Sequence, residues 1–186
     1  MIGRSYPPLT WELAVAIAFQ WARWGNRYRR AVGVLVSFDC LLRVGELVGL
    51  YREDVADAGD LRVGVEHKGM VLRLRKTKTG RNKEVRVLEP IVLELLRGLV
   101  RTTGPRQLLF PFSTATFRRD FHAVCDSLSL SPLFVPHSLR HGGATRYRHV
   151  FHWPMEDIKD RGRWASVQSA QRYIQSGLAM FSSSFH

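Results

Sequence analysis

Apolar residues recur at helical spacing through Trp11, Leu13, Ile17, Trp21 and Trp24, with Thr10 placed to cap the segment and Gly25 to end it. Tyr28 to Leu42 is strongly apolar and predicts a buried helix; a short second helix follows from about Arg43 to Leu50. The texture then changes. Leu61 to Val65, Met70 to Arg75 and Glu84 to Leu88 alternate apolar and polar residues, the period of half-buried strands. Met70, Leu72 and Leu74 share one face, and Arg73 and Arg75 take the other. Thr79-Gly80-Arg81-Asn82 reads as a turn, which puts Lys76 and Lys78 near the tip of a basic hairpin. Helical spacing returns at Pro90 to Val100, Thr114 to Leu128, Ser138 to Val150, Met155 to Lys159 and Ser166 to Gln175. The predicted class is mainly α with a small antiparallel β-sheet inserted early (α+β).

The length of 186 residues suits one domain with a substantial core. Hydrophobic residues at 45% and charged residues at 24% fit a globular domain. The charge changes the picture more. A net charge of +12 and a pI near 10.6 point to a polyanionic partner, because each neutralised phosphate releases condensed counterions. Cys40 and Cys125 sit in apolar runs and predict buried free thiols. No Cys/His spacing suggests a zinc site, and neither metal nor cofactor is expected. No apolar run is long enough to cross a membrane and no secretory signal opens the chain, so the expected location is intracellular.

Four segments could carry chemistry. In His137-Ser138-Leu139-Arg140-His141, His137 and Arg140 share a helix face behind Pro136. Such a pair suits a phosphate: Arg forks onto two oxygens, and His exchanges a proton near neutrality. Taken alone, such a spacing more often marks a surface pair. Arg43 interrupts the apolar run of Leu41-Leu42-Arg43-Val44-Gly45-Glu46-Leu47, and Glu46 lies one helical turn on, where it could orient the guanidinium or form a purely structural ion pair. Arg75-Lys76-Thr77-Lys78-Thr79-Gly80, leading into Lys83, could reach a neighbouring site or simply be a solvated turn. Gly162-Arg163-Trp164 and Arg172-Tyr173-Ile174 place two aromatics near the end of the chain, where packing alone could explain them.

The order of these segments resembles the tyrosine recombinase (phage integrase) family. The likeness covers "LLRVGEL", "KTKTGRNKEVRVL", "HSLRHGGAT" and "GRWASVQSAQRYI", and runs from about Tyr28 to Gln175. It implies a catalytic-domain fold of that family and a metal-free cut-and-rejoin reaction on double-stranded DNA. Tyr173 would be the nucleophile; Arg43 and Arg140 would clamp the scissile phosphate. His137 would assist proton transfer at the Tyr hydroxyl, and Lys78 would be the general acid. Trp164 would donate its indole N–H to a phosphate oxygen. Glu46 and His141 would support the others, and Arg73, Arg75, Lys76, Arg81 and Lys83 would contact DNA.

The likeness also implies self-assembly into dimers or tetramers on DNA, in the nucleus or in the bacterial cytoplasm or nucleoid according to the host. Residues 1–186 would form a single catalytic domain without the family's N-terminal core-binding domain, and 177–186 would be a tail docking on a neighbouring protomer. Arg163-Trp164 stands where the family often has Gly-His, and Lys76 competes with Lys78, preferred for its Lys-Thr-Gly setting. Type IB topoisomerases share a related constellation, and a degenerate, non-catalytic DNA-binding protein is the remaining alternative.

Overall fold

The computed structural model describes residues 6–58, 60, 62 and 69–174. Among them, seven named helices surround one three-stranded antiparallel sheet. Helix α1 (Trp11–Arg23) starts where Thr10 Oγ1 accepts the Leu13 N–H at 3.3 Å, and it buries Ala14, Ile17, Ala18 and Trp21. Helix α2 (Tyr28–Asp39) is buried throughout Ala31–Asp39 and packs against α1, against α4 (Pro90–Arg101) and against α6 (His137–His149). Trp21 stacks at a tilt on Phe117 of α5 (Thr114–Ser127), 5.6 Å between centroids, and meets Phe121 edge-on. Each of these fully buried aromatics contributes about 1.5–3 kcal/mol from lost water contact.

Three expectations need adjustment. Helix α2 stops at Asp39 rather than Leu42, because Leu41 takes a left-handed conformation at φ 52. The chain then enters the short α3 (Val44–Val48). The expected strand Leu61–Val65 falls mostly outside the described residues; the first strand observed is β1 (Val55–Ala56), which alternation over two residues could not reveal. The hairpin is longer and tighter than the sequence suggested. Strand β2 (Met70–Thr77) pairs with β3 (Gly80–Val87) up to Thr77 opposite Gly80, leaving Lys78-Thr79 as the loop. Gly80, at φ 149, takes a backbone conformation that a side chain would resist.

Register decides which charges face inward. Met70, Leu72 and Leu74 lie opposite Val87, Val85 and Lys83, and Lys76 lies opposite Arg81. Directly opposed residues share a sheet face, so the apolar core face turns into a basic face of Lys76, Arg81 and Lys83 as the hairpin leaves the core. Arg73 and Arg75 lie on the other face. There Arg73 Nη2 and Arg75 Nε donate to the buried Asp54 carboxylate at 3.0 and 2.8 Å, Arg75 also pairs with Glu53, and its guanidinium stacks 4.5 Å from the Tyr51 ring centre.

Helix α6 fits into its slot only because Gly142 and Gly143 lack side chains. A Cβ at Gly142 would stand 1.8 Å from the Leu9 carbonyl oxygen, and one at Gly143 would stand 2.1 Å from that of Phe38. These neighbours are backbone and cannot rotate away. Gly143→Ala is therefore expected to cost at least about 2 kcal/mol, measured by urea unfolding. A loss below about 0.5 kcal/mol, the range of an ordinary surface change, would show that α6 is seated otherwise.

A second, smaller apolar cluster sits under the end of the chain. It joins Leu41, Ala144, Tyr147, Ile158, Trp164, Ala170 and Ile174, with Tyr173 packed at its margin. Ile174 is thus buried within its own chain, where it completes this cluster. Leu178, Met180, Phe181 and the tail 177–186 lie outside the described residues. Cys40 and Cys125 are buried free thiols. Among the described residues, no helix is long and apolar enough to cross a membrane.

Candidate active site

The left-handed turn at Leu41 delivers Arg43 to the N-terminus of α3. Glu46 reaches back to accept the Arg43 backbone N–H at 2.9 Å, and its other oxygen accepts Arg43 Nη1 at 3.1 Å. The carboxylate thus caps the helix and aims the guanidinium in one conformation. Its second guanidinium is Arg163, whose Nη2 donates to Glu46 Oε2 at 2.8 Å. Burial raises the Glu46 pKa, but Arg163 and the Arg43 N–H outweigh it, and the carboxyl stays ionised below its ordinary range.

His137 opens α6, so Arg140 and His141 follow one turn later on adjoining positions. Arg140 is fully buried. Its Nη1 donates to the Leu41 carbonyl at 2.5 Å, its Nη2 donates to the Gly162 carbonyl, and its guanidinium lies 4.2 Å from the Trp164 ring centre. Two carbonyls and an aromatic face hold the group rigid. Its Nε is buried with no hydrogen-bond partner among the described residues. A buried donor left unpaired costs about 1–3 kcal/mol, a cost that an incoming oxyanion would remove. Burial, then Arg43 and Arg163, push the Arg140 pKa down.

Trp164 follows α7 (Met155–Gly162), which runs one turn beyond the expected Lys159. Arg163 ends that helix in the left-handed conformation at φ 57, and the Trp164 N–H returns to the Lys159 carbonyl at 3.0 Å. Residues 167–174 are helical and carry Tyr173. The tyrosine ring lies 4.5 Å from His141, 5.7 Å from His137 and 5.8 Å from Trp164, centroid to centroid. Burial pushes the His137 pKa down to about 4, helped by Arg140 and Arg43; burial and His137 push His141 down to about 3. Both imidazoles are therefore neutral at pH 7, the form that can accept a proton.

A cleft of about 860 Å³ opens in front of these groups. Its lining includes Arg43, His137, Lys76 and Lys78, and also Arg118 and His122 of α5; among the described residues Glu46 is the sole acid in it. The structure thus brings Arg43, Glu46, Lys76, Lys78 and His137 to one cleft, and sets Arg140, His141, Trp164 and Tyr173 against its His137 wall. Arg81 and Lys83 are exposed on the same hairpin, whereas Arg73 and Arg75 are tied to Asp54 on its other face.

Sequence reasoning passed over the polar network behind this wall. Asp39 is buried; its Oδ1 accepts the Tyr147 hydroxyl at 2.6 Å and Arg161 Nη2 at 3.1 Å, and its Oδ2 accepts the Leu88 N–H at 2.9 Å. The signal was present: Asp39 is a lone charge in an apolar run, as Arg43 is. Arg118 and His122 gave no comparable signal, being two polar residues on an ordinary amphipathic helix.

The fold has close likenesses among solved structures. A crystal structure of XerA recombinase superposes with a TM-score of 0.71 at 19% identity, covering 100% of this chain and 65% of that one. A lambda integrase dimer bound to a COC' core site gives 0.70 at 19% identity, covering 94% and 49%. XerH recombinase in a post-cleavage complex with palindromic difH gives 0.72 at 16% identity, covering 97% and 53%. The chain therefore spans about half to two thirds of the length of these proteins, and at such identities the likeness establishes the fold. No curated protein is matched by the sequence. The phage integrase family model, however, matches residues 22–179, most of the chain, including the segments that carry Arg43, Lys78, His137, Arg140, Trp164 and Tyr173. The chain belongs to the phage integrase family.

Proposed function

We propose that the chain is the catalytic domain of a site-specific DNA recombinase that cuts and rejoins strands of double-stranded DNA through a 3′-phosphotyrosine bond. The observation that carries this reading is a surplus of positive charge beside a tyrosine. Arg43 and Arg163 pair with one carboxylate, Glu46, and the buried Arg140 stands near it without a carboxylate of its own, which leaves two positive charges over among the described residues. A phosphodiester carries one negative charge, and its pentacovalent transition state approaches two. The site is matched to the transition state rather than to the substrate.

The chemistry follows from the placement. The Tyr173 oxygen attacks the scissile phosphorus, and its proton passes to neutral His137, with His141 supporting the orientation of both rings. The P–O5′ bond breaks, and Lys78 protonates the departing 5′-oxygen. Arg43 and Arg140 take the non-bridging oxygens with Trp164, and Glu46 supports Arg43. The phosphate remains esterified to Tyr173, so no bond energy is lost to water. A 5′-hydroxyl attacking that ester reverses each step and rejoins the strand. Lys76, Arg81 and Lys83 extend the basic hairpin face along the DNA backbone, with Arg73 and Arg75 behind them.

A lambda integrase tetramer bound to a Holliday junction is among the similar structures and supports self-assembly on DNA. Residues 1–186 act as one catalytic domain, 177–186 serve as a docking tail, and the chain works inside the cell wherever its DNA target lies.

Because side chains supply the positive charge, a nicked suicide substrate should trap a covalent adduct equally well in excess chelator. Loss of the adduct that magnesium restores would point to a nuclease. Relaxation of plasmids lacking a recombination site as readily as those bearing one would point to a type IB topoisomerase.

A further inference from the structure

Position 163 departs from the glycine that often precedes the last phosphate donor in this family. Arg163 is in a left-handed conformation that an arginine adopts at a cost. Its side chain is 3% exposed, and its Nη2 and backbone carbonyl both reach groups at the site. Nη2 donates both to Glu46 Oε2 at 2.8 Å and to the Leu41 carbonyl at 2.7 Å; Nη1 donates to the Arg161 carbonyl at 2.6 Å. Each of the first two acceptors is shared. Glu46 also holds Arg43, and the Leu41 carbonyl also holds Arg140. One guanidinium is thus a single bond removed from each phosphate-binding arginine. The backbone carbonyl of Arg163 accepts the Thr79 hydroxyl at 3.1 Å, and Thr79 adjoins Lys78 on the hairpin loop.

We propose that Arg163 is a positioning residue for strand cleavage: its side chain fixes Arg43 and Arg140 relative to one another through Glu46 and the Leu41 carbonyl, and its carbonyl pins the Lys78 loop through Thr79. This rests on the strand-cleavage reading above. Arg161, a buried arginine two residues earlier, gives its guanidinium to Asp39 and to the Arg86 carbonyl. Arg163 instead joins the three segments that bring charge or a proton to the phosphate, and its left-handed backbone serves side chain and carbonyl at once.

The test exploits that backbone. Arg163→Gly removes the side chain but suits the left-handed conformation, so the fold is retained. Adduct formation is measured in single turnover on a nicked substrate, once with an ordinary phosphodiester and once with a methylphosphonate, where a methyl group replaces a charged oxygen. With the arginines out of register, Arg163→Gly should be slower than the unaltered chain by about 100-fold on the phosphodiester. The deficit should shrink to within about threefold on the methylphosphonate, which has less charge to neutralise. An equal deficit on both substrates would reduce Arg163 to a structural role and overturn the proposal, as would an unimpaired variant.

Thr79→Val, an exposed change that spares the core, tests the second link and stands if Arg163→Gly does not fold. It should slow ordinary cleavage and be relieved by sulfur at the bridging 5′ position, which needs no acid. No effect, or no relief, overturns the link. Absence of any adduct with the unaltered chain would instead defeat the cleavage reading itself.

Discussion

Tyr173→Phe should abolish the covalent protein–DNA adduct while leaving DNA binding and the fold in place. The substitution removes one oxygen and keeps the ring, and it is the ring that packs 4.5 Å from His141 and 5.8 Å from Trp164. The stability change should stay within about 1.5 kcal/mol, the net worth of one hydrogen bond. Binding should be unchanged, because the hairpin cations and Arg43 are untouched. Tyr147 cannot substitute. Tyr147 is buried, its hydroxyl donates to Asp39 at 2.6 Å, and burial together with that carboxylate holds its pKa far above the ordinary phenol range. Trapping on a nicked substrate, followed by protease digestion and mass measurement of the DNA-linked peptide, checks both the loss and the attachment site. An adduct that persists in the variant would move the nucleophile elsewhere and dissolve the reading of the whole cleft.

Lys78→Ala should slow cleavage of ordinary DNA by about 100- to 10,000-fold, the range a lost general acid produces. A 5′-alkoxide is a poor leaving group and must be protonated as it departs. A 5′-thiolate leaves unaided, because thiols titrate near 8.5. A substrate with sulfur at the bridging 5′ position should therefore restore most of the rate to this variant. Both Lys76 and Lys78 line the cleft, so geometry alone leaves two donors in reach. They differ in freedom: Lys76 is fixed opposite Arg81 in the strand ladder, whereas Lys78 stands on the loop beyond the last pair. Lys76→Ala should weaken binding without sulfur rescue. Arg43→Ala and Arg140→Ala should stay slow on either substrate, since their work is on the non-bridging oxygens. Rescue that follows Lys76 would reassign the acid to the strand; rescue that follows neither would remove it from the hairpin.

The sequence was legible where local spacing carries the chemistry. His137, Arg140 and His141 are neighbours on one helix, and Arg43 and Glu46 stand a turn apart, so periodicity alone put each group on a common face. The hairpin was legible in outline, because alternation over Met70 to Leu74 shows which face is buried. Its exact loop was not, since Lys76 continues the inward positions of the strand and no composition change marks where pairing stops. Position 163 was visible only as a departure. That one guanidinium reaches Glu46, Leu41 and Cys40 across more than a hundred residues of chain is a fact of tertiary packing, which no window of sequence contains. The pairing of Arg73 and Arg75 with Asp54 was hidden for the same reason.

The buried Asp39 bears on how the protein comes into being. During synthesis its carboxylate is made early, whereas Tyr147 and Arg161, which take up one of its two oxygens, emerge more than a hundred residues later. Until then a charge sits at the C-terminal end of an apolar helix with only backbone amides to meet it. Tyr173 arrives later still. A growing or prematurely released chain that ends before Arg161 therefore has neither a settled arginine site nor a tyrosine to place in it. On the strand-cleavage reading, order of synthesis thus acts as a safeguard on the genome: a fragment lacking Tyr173 should break no DNA strand.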